Sequence, residues 1–136
     1  MIVTVFLIRH GLSCCNILHH EKVKLLAYAN ALYKDPYLTK IGINQSIRAS
    51  KYIENILPTI DIVLCSPLMR AIQTALYMFP ENDINIAPYI CESRKSMENI
   101  PYSVKKQKQR LKKIDTNNMV LFPDSNDGLN DTDLTT

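Results

Sequence analysis

Residues 61–79 read DIVLCSPLMRAIQTALYMF, and this stretch decides the fold class of the chain. It begins with a short apolar run, 61–65, that is typical of a buried strand. Ser66 and Pro67 then form a helix-start signature, because a serine hydroxyl can cap a helix and proline suits the first helical position. We therefore predict one strand followed by a helix that ends near Phe79.

The same alternation of strand and helix signals continues on both sides of this stretch. Further strands are predicted at 2–8, 84–90 and 119–122, and helices at 17–32, from an N-cap at Thr39 to about Leu57, and at 102–114. Residues 2–8, IVTVFLI, are almost all apolar, which predicts a strand buried on both faces between two neighbours. Alternating strands and helices predict an α/β domain with a mainly parallel sheet.

Length and composition indicate one globular domain. The chain has 136 residues, of which 46% are hydrophobic and 21% charged. We expect no membrane span, because no apolar run approaches the roughly 18 residues that a transmembrane helix needs. We also expect no signal peptide, because no basic segment precedes the first apolar run. Four cysteines without disulfide-like spacing favour a reducing, cytoplasmic location; they are Cys14, Cys15, Cys65 and Cys91.

The charge is unevenly distributed. Residues 1–122 hold 16 basic and 9 acidic side chains, whereas the last fourteen residues hold four aspartates and no lysine or arginine. We therefore divide the chain into an α/β domain at 1–122 and an acidic polar tail at 123–136. The basic excess of the domain suits an anionic ligand.

Residues that suit phosphate chemistry follow three predicted strands. Arg9 and His10 follow the first strand, Arg70 lies one turn beyond the second, and Glu92 follows the third. Ligands of parallel α/β sheets bind beyond the carboxyl ends of the strands, so these side chains are expected to share a pocket. Two guanidinium groups can clamp a phosphate, a neutral imidazole can attack phosphorus, and a carboxyl group can protonate the leaving oxygen.

Three motifs then identify a family resemblance. They are RHGLSCCN at 9–16, LTKIGINQ at 38–45 and CSPLMRAIQTA at 65–75. Their order and spacing resemble those of the histidine phosphatase superfamily, which includes the cofactor-dependent phosphoglycerate mutases, over about residues 2–98. The resemblance implies a three-layer α/β sandwich with a mainly parallel sheet, like that of phosphoglycerate mutase.

The resemblance also implies roles for individual residues. His10 would be phosphorylated, Arg9 and Arg70 would bind the phosphoryl group, Asn16 would contact it through its amide, and Glu92 would donate the proton, with Glu98 as the alternative acid. We expect a phosphatase acting on a phosphorylated small molecule or phosphoprotein. We expect no metal, other cofactor, nucleic acid or membrane partner.

The sequence departs from the family pattern in two places. Family members carry a second histidine on a late strand, but the only other histidines here are His19 and His20. We therefore expect a C-terminally shortened member, and the loss of one such donor typically costs about 100- to 1000-fold in rate. A catalytically weak or inactive phosphate-binding or interaction protein is thus an alternative. Mutase-type transfer is a further alternative, disfavoured because residues 93–96, SRKS, replace the arginine and Tyr-Gly element of the mutases.

Two unrelated sites receive less support. The thiols and imidazoles of Cys14, Cys15, His19 and His20 are a possible set of zinc ligands, but adjacent residues do not converge easily on one tetrahedral ion. The lysine-rich stretch 102–114 has the charge to bind nucleic acid, yet it lacks interleaved aromatic side chains and is better explained as a solvated helix face.

Overall fold

The structure is a computed structural model that describes residues 1–20, 34–93, 96–111 and 119–121. The helices are α1 (Cys14–His20), α2 (Lys40–Tyr52), α3 (Met69–Met78) and α4 (Val104–Arg110), and the strands are β1 (Val63–Cys65), β2 (Ile84–Ile86) and β3 (Met119–Leu121). Short 3₁₀ turns occupy Leu57–Thr59 and Met97–Asn99. The acidic tail and most of the helix predicted at 17–32 lie outside the described residues.

The three strands form one parallel sheet in the order β1-β2-β3. Val63 pairs with Ile84, and Ile84 in turn pairs with Met119. The α3 helix supplies the crossover that a parallel pair requires between β1 and β2. The α/β class and the strands predicted within 61–65, 84–90 and 119–122 are therefore confirmed, although β2 ends at Ile86, before the proline at position 88.

The core lies between α3 and one face of the sheet. Met69 and Ile72 of α3 are fully buried, and so is Ile84 of β2. Val63 and Cys65 point into this core, whereas Leu64 between them is 49% exposed. Because burying a large apolar side chain contributes about 1.5–3 kcal/mol, this cluster anchors α3 to the strand ends.

The prediction of a buried strand at residues 2–8 is wrong for this structure. The segment has no regular secondary structure, and Ile2 and Leu7 are 96% and 94% exposed. A strand needs a hydrogen-bonded neighbour and covered faces, and no described strand pairs with this segment. Residues 119–122 do not supply the missing neighbour, since β3 pairs with β2 instead.

The boundaries of three helices differ from the sequence prediction. The Thr39 cap is confirmed, because its hydroxyl accepts a hydrogen bond from the Gly42 N–H at 3.0 Å. The helix ends at Tyr52, five residues earlier than predicted, and α4 is likewise shorter than predicted. Ser66 is not the cap of α3: the helix starts at Met69 after Leu68, which makes no side-chain capping bond.

Candidate active site

The loop that carries His10 is attached to α3. The Gly11 N–H donates to the Thr74 hydroxyl at 3.0 Å, and that hydroxyl donates to the Arg70 carbonyl at 2.8 Å. Thr74 lies one helical turn after Arg70, so it fixes the loop beside the arginine. His10 and Arg70, both expected to act on phosphate, are thereby brought together although sixty positions separate them in the sequence.

The second motif holds the same loop from the other side. The Leu12 carbonyl accepts hydrogen bonds from the N–H and the hydroxyl of Thr39, at 2.8 and 2.9 Å. The Leu12 N–H donates to the Gln45 side-chain oxygen at 2.9 Å. Gly11 and Gly42 also lie back to back, so that a Cβ on Gly11 would stand 2.5 Å from the Gly42 carbonyl oxygen. The glycine of each motif is required by this close approach of the two backbones.

The hydrogen bonds of His10 assign its tautomer. Nδ1 lies 2.7 Å from the Gly11 carbonyl oxygen, which can only accept, so Nδ1 carries the proton. Nε2 therefore carries the lone pair of the neutral ring, and this lone pair accepts a hydrogen bond from the Nε–H of Arg70 at 3.3 Å. The unprotonated nitrogen that a nucleophile needs thus faces the guanidinium group.

One backbone oxygen and one side-chain oxygen hold the other end of Arg70. Its Nη1 donates to the Glu98 carbonyl at 2.7 Å, and its Nη2 donates to the Asn99 side-chain oxygen at 2.8 Å. The amide group of Asn99 is itself tied to the Ser93 carbonyl at 3.1 Å. The arginine is 5% exposed, so its guanidinium plane is fixed beside His10 rather than free in solvent.

Electrostatics favour the neutral form of His10. Burial lowers its pKa below the usual 6.5, and the charges of Arg70 and Arg9 lower it further. The Gly11 hydrogen bond and the charge of Glu92 act in the opposite direction. Arg9 and Glu92 are both exposed, yet both lie close enough to His10 to affect its charge.

Asn16 uses its side-chain oxygen within its own turn. That oxygen accepts from the N–H and the hydroxyl of Ser13, at 3.0 and 2.8 Å. The amide nitrogen is consequently the part of the side chain that can donate to an anion. Asn16 therefore retains the donor expected from the sequence while it also stabilises the start of α1.

Glu98, the alternative acid, occupies a different environment from Glu92. It is buried, and its carboxylate accepts a hydrogen bond from the Cys15 thiol. Burial, together with this carboxylate, raises the pKa of Cys15 to about 11. Glu98 is buried against a thiol whereas Glu92 is exposed, so Glu92 is the more accessible of the two carboxyl groups.

Sequence reasoning predicted which groups would react but missed several residues that hold those groups in place. Thr74 belonged to a recognised motif without a role, and the Glu98 carbonyl and Asn99 lie beyond the motifs. Asn99, which supplies an oxygen to Arg70, lies 29 positions away in the sequence. Such a contact leaves no local sequence pattern, so no periodicity would have revealed it.

Two features of the described ranges bear on the alternatives of a metal site and a membrane span. No group of three or more potential metal ligands occurs within them, and Cys14 is exposed while Cys15 is buried. In the same part of the chain, none of the helices has both the length and the apolar character needed to cross a bilayer.

Comparison with known proteins agrees with the family that the three motifs indicate. The family model of the Histidine phosphatase superfamily (branch 1) matches residues 5–94, which include all three motifs. Phosphoglycerate mutase-like protein 1 of Arabidopsis thaliana is 35% identical over 78 residues. That match covers 56% of this chain and 27% of the relative, so the chain spans much less than the full length of that protein.

Proposed function

Because this chain belongs to the histidine phosphatase superfamily, we propose that it hydrolyses phosphomonoesters through a phosphohistidine formed at His10. The observation that carries the proposal is the orientation of the imidazole. Its Nδ1 proton is held by the Gly11 carbonyl, and its Nε2 lone pair faces the Arg70 guanidinium group. A phosphoryl group bound to that guanidinium would stand next to the nucleophilic nitrogen.

The proposed first step transfers the phosphoryl group to the enzyme. The Nε2 lone pair of His10 forms a bond to phosphorus while the bond from phosphorus to the ester oxygen breaks. Glu92, in its protonated form, gives its proton to the leaving alkoxide. Arg9 and Arg70 stabilise the negative charge on the phosphoryl oxygens, and the Asn16 amide donates a further hydrogen bond.

The second step returns the enzyme to its starting state. A water molecule attacks phosphorus, the ionised Glu92 accepts a proton from it, and the phosphorus–nitrogen bond breaks to release inorganic phosphate. Glu92 is again protonated at the end of the cycle, so atoms and charges balance. Transfer to a hydroxyl of a second phosphorylated molecule instead of water would constitute mutase activity.

Trapping of a phosphoenzyme tests this proposal. The chain is mixed with ³²P-labelled phosphomonoesters, namely a sugar phosphate, a phosphopeptide and a nucleotide, and the reaction is quenched within milliseconds to seconds. We expect acid-labile, alkali-stable label on the wild type and none on His10→Ala. His20→Ala is the matched control and should be labelled like the wild type. Label that persists on His10→Ala refutes the proposal, and release of inorganic phosphate distinguishes a phosphatase from a mutase.

A phosphate-binding protein without turnover is the second candidate. It is favoured by the histidines of the sequence. Apart from the proposed nucleophile, the sequence has only His19 and His20, and both lie in the segment directly after the first motif rather than on a late strand. This candidate predicts that inorganic phosphate binds in an Arg70-dependent manner while no phosphoenzyme forms with any ester of the panel.

A further inference from the structure

Asp35 is a buried carboxylate that belongs to none of the roles assigned above. It is 0% exposed, and its backbone has a φ of +47°, in the left-handed region that residues other than glycine adopt infrequently. Such strain costs of the order of 1 kcal/mol and persists only where the surroundings fix the residue. The contacts of its carboxylate show what fixes it.

The Asp35 carboxylate accepts hydrogen bonds from three donors and lies near a guanidinium group. Oδ1 accepts from the Met69 N–H at 2.6 Å, and Oδ2 accepts from the Tyr102 N–H at 3.0 Å and from Nε2 of Gln107 at 2.9 Å. Nη1 of Arg110 lies 3.9 Å from Oδ2. Burial raises the pKa of Asp35, but donors on all sides favour the ionised form.

The first of these contacts caps the helix that carries Arg70. Met69 is the first residue of α3, and the residue before it, Leu68, provides no side-chain cap. A carboxylate at the N-terminus of a helix satisfies a free N–H and interacts favourably with the helix dipole. Asp35 therefore caps α3 from a distant position in the chain. The N–H that it caps belongs to Met69, the residue directly before Arg70.

Asp35 also contacts the turn on the other side of Arg70. Its own N–H donates to the Met97 carbonyl at 3.4 Å, and the Met97–Asn99 turn supplies both oxygens that accept from the guanidinium group. We propose that Asp35 is a positioning residue: by joining the start of α3 to this turn, it sets the orientation in which Arg70 binds phosphate beside His10. This inference rests on the proposed function of the Arg70 site.

Inorganic phosphate binding, followed by ³¹P NMR titration of the full chain well below its melting temperature, tests the inference. Asp35→Asn keeps the size of the side chain but places an NH₂ group against donors, so at least one contact must be lost. We expect phosphate to bind about 10- to 100-fold more weakly, as when outer contacts of other preorganised sites are removed. Asp61→Asn, the same change at an exposed aspartate, should bind phosphate like the wild type.

A double-mutant cycle separates positioning from a general effect on stability. If Asp35 acts through the guanidinium group, Asp35→Asn should weaken phosphate binding by less than about threefold when Arg70 is already replaced by lysine. An equal loss in both backgrounds overturns the inference, and so does unchanged affinity in the single Asp35→Asn variant. If the wild type neither binds phosphate nor forms a phosphoenzyme, the proposed function fails and the inference fails with it.

A second variant covers the case in which Asp35→Asn does not fold. Gln107 donates both to Asp35 and to the carbonyl of Pro67 at the entry to α3. Gln107→Met removes both bonds and leaves the carboxylate in place. Phosphate affinity of folded Gln107→Met should fall by at least about threefold; an unchanged affinity overturns the inference.

Discussion

Substitution of Gly11 by alanine tests whether the first two motifs meet as closely as the structure places them. The new Cβ would lie 2.5 Å from the carbonyl oxygen of Gly42 and 3.0 Å from its Cα, both backbone atoms that no rotamer change can move. Ordinary contact requires the two backbones to separate by about 1 Å. Overpacking of this kind costs about 1–3 kcal/mol, which corresponds to a fall in Tm on the order of 5–15 °C.

The same displacement should impair the site. The Gly11 carbonyl holds Nδ1 of His10, and the Gly11 N–H is held by Thr74, so a shift of about 1 Å moves the nucleophile away from Arg70. We expect phosphoenzyme formation to slow by about 100-fold, a typical cost of such a misplacement.

Thermal unfolding and rapid-quench labelling measure the two effects on the same samples. Gly42→Ala should produce similar losses, because its Cβ would meet the Leu12 backbone across the same contact. Asn44→Ala, on the exposed side of α2, is the control and should leave both quantities unchanged. A Gly11→Ala protein with wild-type Tm and wild-type labelling would show that this close approach does not exist.

Three further predictions concern protonation, thiol reactivity and the core. Because the pKa of His10 lies below 6.5 and only the neutral imidazole can attack phosphorus, phosphoenzyme formation should rise with pH on the acid side of its profile, with a midpoint below pH 6.5. The contribution of His10 to the unfolding free energy should be fully present above that pH and decline as the pH falls, since the unfolded imidazole binds its proton first, and His10→Ala should lack this dependence. Burial raises the pKa of Cys65 to about 12, so iodoacetamide at pH 8 should modify Cys65 and Cys15 at least about tenfold more slowly than the exposed Cys14 and Cys91, as followed by peptide mass spectrometry; equal rates would contradict this. Ile72→Ala should lower the urea-unfolding free energy by about 2–5 kcal/mol, whereas Ile41→Ala, whose side chain is 58% exposed, should change it by less than about 1 kcal/mol; similar losses would place the core elsewhere.

Much of the fold was predictable because it depends on local patterns. The apolar runs that became β1, β2 and β3 and the Thr39 cap are short-range signals, and they appear where the sequence indicated. The end of α2 was less predictable, since Tyr52 is followed by turns that no proline imposes. Residues 2–8 failed as a strand for a different reason: strand propensity depends on packing against cross-strand neighbours, and no described strand pairs with this segment.

The sequence by itself determined the chemical groups of the site and their family. The first and third motifs carry the imidazole, both arginines and the asparagine, and a motif can be recognised because its residues are neighbours along the chain. Only the tertiary structure decided how these groups are held. The Gly11–Thr74, Arg70–Asn99 and Asp35–Met69 hydrogen bonds join residues 29 to 63 positions apart, and such contacts depend on how helices and turns pack in space. The α3 helix shows the difference most directly, because its sequence offered Ser66 as the cap while packing assigned that task to the buried carboxylate of Asp35.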